Sequence, residues 1–209
     1  MPIAPHLGKA LIYAVLLNCL DPVLTVVAML SYDDPFVAAS SDSARSHELL
    51  VRRFMGGLSQ SDHCGLLRVY MRWLEACSRG QGRAFCDGNR LSEARLKLVY
   101  RLRQQLLTQL RSAGLVRNYA GAMRDLNANS ESLTVVKAAL TAGHYPNLAR
   151  VDRQMNAIRT RDEVSVTFHP SSLLRCDQPQ DFPAKLATEC GVFEEKRQGS
   201  CASAPLSLI

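Results

Sequence analysis

A few residue groups in this chain have the types and spacing that chemistry would need. "LGKA", Leu7 to Ala10, imitates the end of a phosphate-binding loop, in which backbone N–H groups and a lysine cradle phosphates. Such a loop needs a glycine five residues before Gly8, where Ile3 stands, and Ser or Thr after Lys9, where Ala10 stands. His63 adjoins Cys64, but nucleophile and base of a thiol enzyme come from separate parts of a chain; a solvent-facing histidine at a helix start is the expectation. Asp33 and Asp34 could hold a divalent ion, yet a helix stop before Pro35 accounts for them without one. There is no G-x-S-x-G elbow. The seven cysteines are scattered, with no CxxC pair and no zinc spacing, and read as reduced, partly buried thiols. No self-contained active site is legible.

What remains is charge. The net charge is +6, unevenly spread. Residues 1–44 carry a net −3, residues 45–118 a net +9, residues 119–175 a net +2 and residues 176–209 a net −2. A basic middle is what a polyanion-binding face requires; a solvated helical surface is the bland rival.

These residues need elements to hold them. Hydrophobic residues make up 47% of the chain, enough for a substantial core. The apolar runs Ala10 to Leu17 and Pro22 to Leu30 are each too short to span a membrane, and Asp21-Pro22 separates them. A secretion signal is a rival reading, with "LLNC" resembling a lipoprotein cleavage site. The preferred reading is two buried helices, apolar nearly all round, the second capped by Asp21 with Pro22 at its first position. Ser61 or Asp62 caps a helix to Cys77, with Leu66, Tyr70, Trp73 and Cys77 on one face. Arg79 to Asn89 reads as a loop. Ser92 caps the longest helix, to about Ala113, with Gly114 as its stop. Its apolar stripe is Val99, Leu102, Leu106 and Leu110. Asn127, Asn129 and Ser130 make a turn-rich link, and a helix follows from about Glu131, ending at Gly143. Val164, Val166 and Phe168 alternate as a half-buried strand does. Residues 176–209 look poorly ordered.

Taken in order, the segments resemble the C-terminal region of the DEAH/RHA group of DExH-box RNA helicases. "PHLGKALIYAVLLNCLDPVLTVVAMLSYDDPFV" resembles the first two helices of the helicase-associated ratchet domain. "SDHCGLLRVYMRWLEA", "GRAFCDGNRLS" and "RQQLLTQLRSAGLV" resemble its continuation. "VVKAALTAGHYPNLARVDR" and "VTFHPSSLL" resemble the start of the oligonucleotide-binding (OB) fold that follows. "DLNANSESLTVVKAAL" and "YPNLARVDR" carry a finer likeness, to the YTH-domain-containing germ-line helicase and its fly relative, the benign gonial cell neoplasm protein.

The resemblance implies a mainly α chain: a helical ratchet domain over 1–118, a partial OB-fold with few strands over 119–175, and a low-order tail over 176–209. It also implies a fragment that lacks the two RecA-like ATPase domains, so that ATP and Mg would belong to that missing core and no cofactor to this chain. RNA is the implied partner, together with the RecA-like core and protein regulators, and no membrane. A cytoplasmic location is expected, with the nucleus as a second compartment. Family members contact the strand mostly by its backbone, which positions it without reading sequence. The candidates are Arg95, Lys97, Arg101 and Arg103 on the long helix, and Arg150, Arg153, His169, Ser171 and Ser172 on the OB side. A stand-alone protein-interaction module that docks helicase regulators is the competing function.

Overall fold

The computed structural model describes residues 3–38, 41–57, 61–117, 119, 121–152, 157–163, 166–169, 172–173, 190–193, 203–204 and 206–208. Over these the chain forms helices α1 (Pro5–Leu16), α2 (Leu20–Leu30), α3 (Asp42–Gly56), α4 (Asp62–Ser78), α5 (Gly82–Gly88), α6 (Glu93–Ser112), α7 (Ala122–Asp125) and α8 (Leu133–His144). Strands follow: β1 (Leu148–Asp152), β2 (Ala157–Thr160), β3 (Thr167–Phe168), β4 (Cys190–Phe193), β5 (Ser203–Ala204) and β6 (Leu206–Leu208). None of these helices is long and apolar enough to cross a membrane, among the described residues.

Helix α2 is the hub. Residues Pro22 to Met29 are all buried, because α1, α4, α6 and α8 pack around it. The one polar side chain among them, Thr25, donates its hydroxyl hydrogen to the Asp21 carbonyl at 3.0 Å. The all-round apolar expectation therefore holds for α2. It does not hold for α1, which buries Leu7, Ala10, Leu11 and Ala14 but leaves Ile12, Tyr13 and Leu16 exposed. Its partners α2 and α8 cover one side only.

Asp21 does not cap α2. The helix starts at Leu20, and its leading N–H groups find acceptors in the link after α7: Leu20 N–H on the Leu126 carbonyl (3.1 Å), Asp21 N–H on Asn127 Oδ1 (2.7 Å). Asn129 closes the same corner, donating from its side chain to the Leu17 carbonyl at 3.0 Å. The turn-rich link thus does the capping and leaves the Asp21 carboxylate available to α6. Ser61 and Ser92 cap α4 and α6 as expected, accepting from Cys64 N–H (3.3 Å) and Arg95 N–H (3.4 Å); each such cap is worth about 1 kcal/mol. Gly114, at φ +72°, ends α6 in the left-handed region that glycine favours.

Three elements depart from the sequence pattern. Helix α3 is weakly announced by the sequence: its first two turns are polar, and of its later residues Val51, Met55 and Gly56 are buried while Leu50 and Phe54 face water. Helix α5 occupies the stretch expected as a loop, and packs on α4. On α4, Tyr70 and Trp73 are buried but Cys77 is exposed, and burial instead takes in His63, Cys64, Leu67 and Val69. The solvent-facing histidine expected at position 63 is wrong. His63 is buried because α8 brings His144 against it, ring centroids 5.3 Å apart, and His6 of α1 also stands 5.3 Å from His144.

Helix α8 runs through Gly143 to His144. Gly143 is a crossing point, not a stop: a Cβ there would lie 2.7 Å from Ala10 Cα and 2.9 Å from Ala10 N. Val136, Ala139 and Leu140 join the helical core, so the helical layer extends to α8.

The strands form an antiparallel sheet in the order β2-β1-β4-β6, with Val151 opposite Ile158 and Ala149 opposite Gly191. Strands β3 and β5 pair separately and in parallel. A second small core holds Ala149, Val151, Ile158, Val166, Phe168 and Phe193. Val166 and Phe168 of the alternating stretch are in it; Val164 lies outside the described residues. Within 176–209, only β4, β5 and β6 are described.

One segment fastens strand-side residues to the helices. The Asp62 carboxylate, at the start of α4, accepts from Ser172 Oγ at 2.6 Å and from Leu173 N–H at 2.9 Å. The Leu173 side chain enters a notch between Gly56 and Gly65, where a Cβ on Gly56 would collide with its Cδ1.

Candidate nucleic-acid interface

The long helix α6 presents its cations on two sides. Leu96, Val99, Leu102, Leu106 and Leu110 are buried, as the 3.6-residue period requires. Arg95 and Arg103 flank that stripe and turn inward. Arg95 donates from Nη1 to the Asp34 carbonyl (2.5 Å) and the Phe36 carbonyl (3.1 Å), tying the loop after α2 to the start of α6. Arg103 pairs with Asp21, reaches Tyr70 Oη at 3.3 Å, and stacks its guanidinium 5.2 Å from the Tyr70 ring; its side chain is only 11% exposed. The burial it shares with Tyr70 pushes the phenol's pKa up. Both arginines hold helices together and have little freedom to meet a phosphate.

Lys97 and Arg101 are different. They sit four residues apart on the exposed side of α6. Lys97 pairs with Glu93 at 3.0 Å, so part of its charge is offset locally. Arg101 is exposed and has no ion pair among the described residues, and neither has Arg111 further along. Tyr100 is exposed beside them, a ring on which a base could stack. Tyr100 was not among the sequence candidates; its exposure on α6 brings it in, together with Arg111 from the polar side of the same helix.

The strand-side candidates scatter. Arg150 is exposed on β1 and faces Arg159 across the β1–β2 pair. Arg159 Nε lies 3.3 Å from Asp152 Oδ2, which offsets one of the two charges. Ser172 is buried and its hydroxyl is committed to Asp62, which gives it a fastening role. His169 is partly buried. Arg153 and Ser171 lie outside the described residues. The structure thus brings together Lys97 and Arg101, turns Arg95, Arg103 and Ser172 to structural use, and leaves Arg150 on a separate element.

The other suggestive residues are also occupied. Gly8 and Lys9 lie inside α1; Gly8 N–H donates to the Ala4 carbonyl at 3.1 Å and Lys9 Nζ to the Tyr145 carbonyl at 3.2 Å, so no backbone cradle for a nucleotide's phosphates exists there. Asp34 pairs with Arg52 and accepts from Phe36 N–H at 3.1 Å, and Asp33 lies 4.0 Å from Arg95, so both serve the turn after α2.

With this arrangement in view, residues 4–95 match the helicase associated domain (HA2), ratchet-like. The chain carries the ratchet domain of the DEAH/RHA helicases. The match covers α1 to α5 and the first turn of α6, so most of the α6 face lies beyond it. Curated relatives extend further. The rat ATP-dependent DNA/RNA helicase DHX36 is 31% identical over 185 residues, covering 83% of this chain and 18% of the relative. The Arabidopsis thaliana DExH-box ATP-dependent RNA helicase DExH3 is 34% identical over 177 residues, 83% of this chain and 14% of the relative. The Drosophila melanogaster protein benign gonial cell neoplasm is 28% identical over 193 residues, 84% of this chain and 16% of the relative. The chain therefore spans less than a fifth of the length of these relatives, and corresponds to their C-terminal regions.

Proposed function

We propose that this chain is an RNA-binding accessory module of an ATP-dependent DExH-box RNA helicase. It contacts the nucleic-acid backbone through the exposed face of α6 while RecA-like domains outside this chain hydrolyse ATP with Mg. The observation that carries the proposal is the sorting of cations on α6 within a ratchet-domain chain. Arg95 and Arg103 are consumed by packing, yet Arg101 and Arg111 have no ion pair among the described residues; Arg101 stands in solvent beside Lys97 and Tyr100, and Arg111 is exposed about three turns further along the helix. Solvated arginines are what backbone neutralisation uses, and a solvated tyrosine adds sequence-tolerant stacking. The small sheet after α8 fits an OB-fold in this reading, with Arg150 as a secondary contact. The finer placement near the YTH-domain-containing helicase, and a cytoplasmic site of action, are part of the same proposal.

Fluorescence anisotropy with a single-stranded RNA of about 15 nucleotides, across a salt series, tests it. Affinity should fall steeply with salt, and Arg101→Glu with Arg111→Glu should flatten the slope by about 1.4, at roughly 0.7 per phosphate contact on a single strand. Salt-independent binding, or an unchanged slope in that double substitution, refutes the α6 assignment.

A further inference from the structure

A second surface lies on α3 and α4, apart from the α6 face. Leu50 and Phe54 on α3 and Met71 on α4 are 64%, 65% and 59% exposed. Leu50 and Phe54 are one helical turn apart and share a side of α3. The Arg72 guanidinium sits 4.7 Å from the Phe54 ring centre and joins the two helices at that point. Met71 is its neighbour on α4. Arg72 also lines a groove of about 520 Å³ between α4 and α5, with Glu75, Arg79 and Phe85. Large apolar side chains rimmed by polar ones mark interaction sites.

Charge and apolar content together name the partner of this surface. Arg53 and Arg72 have no acidic partner among the described residues, while Arg79 takes up Glu75 at 2.6 Å. The surface sets exposed apolar side chains beside guanidinium groups that have no acidic partner among the described residues. Arginine suits bidentate capture of carboxylates and phosphates alike, so the apolar side chains decide between the two. A nucleic-acid strand fits less well: Leu50 and Met71 offer a base no ring to stack on, and a phosphate backbone would leave them uncovered. Flexible Met and Leu side chains instead repack around the apolar knobs of a helix.

We propose that the α3–α4 surface around Phe54 and Arg72 docks an amphipathic helix of a protein partner, with acidic residues flanking apolar anchors spaced one turn apart. Because the surface does not use Lys97, Arg101 or Arg111, it does not depend on the RNA-binding reading.

The test uses the full chain and a phage-displayed library of random 16-residue peptides, selected in parallel on the wild-type chain and on a chain carrying both Phe54→Ala and Arg72→Gln. Both altered side chains are solvent-facing, and an unchanged melting curve confirms the fold; Met71→Ser serves as a second, independent substitution. The expected result is enrichment on the wild-type chain of acidic peptides with apolar residues at i and i+4. Their synthetic versions should bind at least tenfold more weakly to each substituted chain and equally well to Arg101→Glu. The proposal is overturned if the wild-type chain enriches no more peptides than the doubly substituted chain does. Enrichment of non-acidic peptides, or peptides that bind wild-type and substituted chains alike, overturns it too. So does loss of RNA affinity in the substituted chains, which would give the surface to nucleic acid. Concentration-dependent self-association abolished by the substitutions would assign it to a second copy of this chain, and would equally overturn it.

Discussion

Replacing Asp62 with alanine should loosen the strand side from the helices, and replacing it with asparagine should not. The carboxylate accepts from Ser172 Oγ at 2.6 Å and Leu173 N–H at 2.9 Å. Alanine leaves both donors without that acceptor, at about 1–3 kcal/mol for an orphaned buried group. Against this stands a cost the native residue already carries. Burial pushes the Asp62 carboxyl above its ordinary 3.8, outweighing the two hydrogen bonds and the nearby Arg52, which all pull it down. Asparagine removes that cost, keeps an oxygen for Leu173 N–H, and offers an N–H to the Ser172 hydroxyl. It gives up only the favourable charge at a helix N-terminus, about 0.3–1 kcal/mol. The expected order is alanine about 2 kcal/mol below wild type and asparagine within about 0.5 kcal/mol. The pH dependence follows from the direction of the shift. A raised folded pKa means that the native state holds the proton more tightly. Stability from this group is present below pH 3.8 and is lost as pH rises through the raised value. Asp62→Asn should therefore gain on wild type as pH rises out of the acid range and show no such gain below it. Urea melts at several pH values, with amide exchange across 166–173, read both effects. Equal melts and equal exchange for the alanine and asparagine variants at every pH would refute the fastening role.

Other perturbations separate structural from functional residues. Gly143→Ala should cost about 3 kcal/mol or more by chemical denaturation, because the new methyl meets Ala10 backbone atoms that cannot rotate away. Arg103→Met should cost about 2 kcal/mol through lost bonds to Asp21 and Tyr70, yet leave RNA affinity unchanged; a loss of RNA affinity at constant stability would return it to the interface. Cys86 should resist alkylation at pH 8 far longer than Cys77, since burial first, then Glu93, Cys77 and Asp87, push its thiol up to about 11. Stability should fall as pH rises from the ordinary thiol value of 9.0 toward 11, as the unfolded chain gives up that proton first. Peptide mapping after timed alkylation, and melts between pH 8 and 11, check the two halves.

The sequence carried the helical layer well where a helix buried a full stripe or opened on a serine. The α6 stripe and the caps at Ser61 and Ser92 follow directly from local chemistry. Helix α3 was weakly announced because most of its residues face water and only Val51, Met55 and Gly56 are buried. Strand β4 was hidden because "CGVF" alternates with nothing, and its pairing with β1 joins residues far apart in the chain. His63 failed for a related reason: whether a histidine near a helix start is wet or buried depends on what packs there, here α8. Of the four α6 residues named from the sequence, Lys97 and Arg101 face solvent while Arg95 and Arg103 turn inward, a division that residue type and clustering do not reveal. A stretch of period 3.6 says that Arg95 and Arg103 border the stripe; it does not say that Asp21, Asp34 and Tyr70 wait on the neighbouring elements to take them.

That division of the arginines has a physical logic of its own. A guanidinium beside a buried stripe must find acceptors or remain poorly solvated, and Arg103 finds Asp21 because Asn127 has already capped α2 in its place. If Asn127 lost that duty, Asp21 would be drawn toward the free N–H groups of its own helix and Arg103 would lose its anion. Asn127→Ala should therefore destabilise by more than the about 1 kcal/mol of a lone cap, and the excess should vanish in an Arg103→Met background. A double-mutant cycle measures that coupling directly. An excess near zero would mean that the cap and the ion pair are independent, and that the inward turn of Arg103 owes nothing to the link that follows α7.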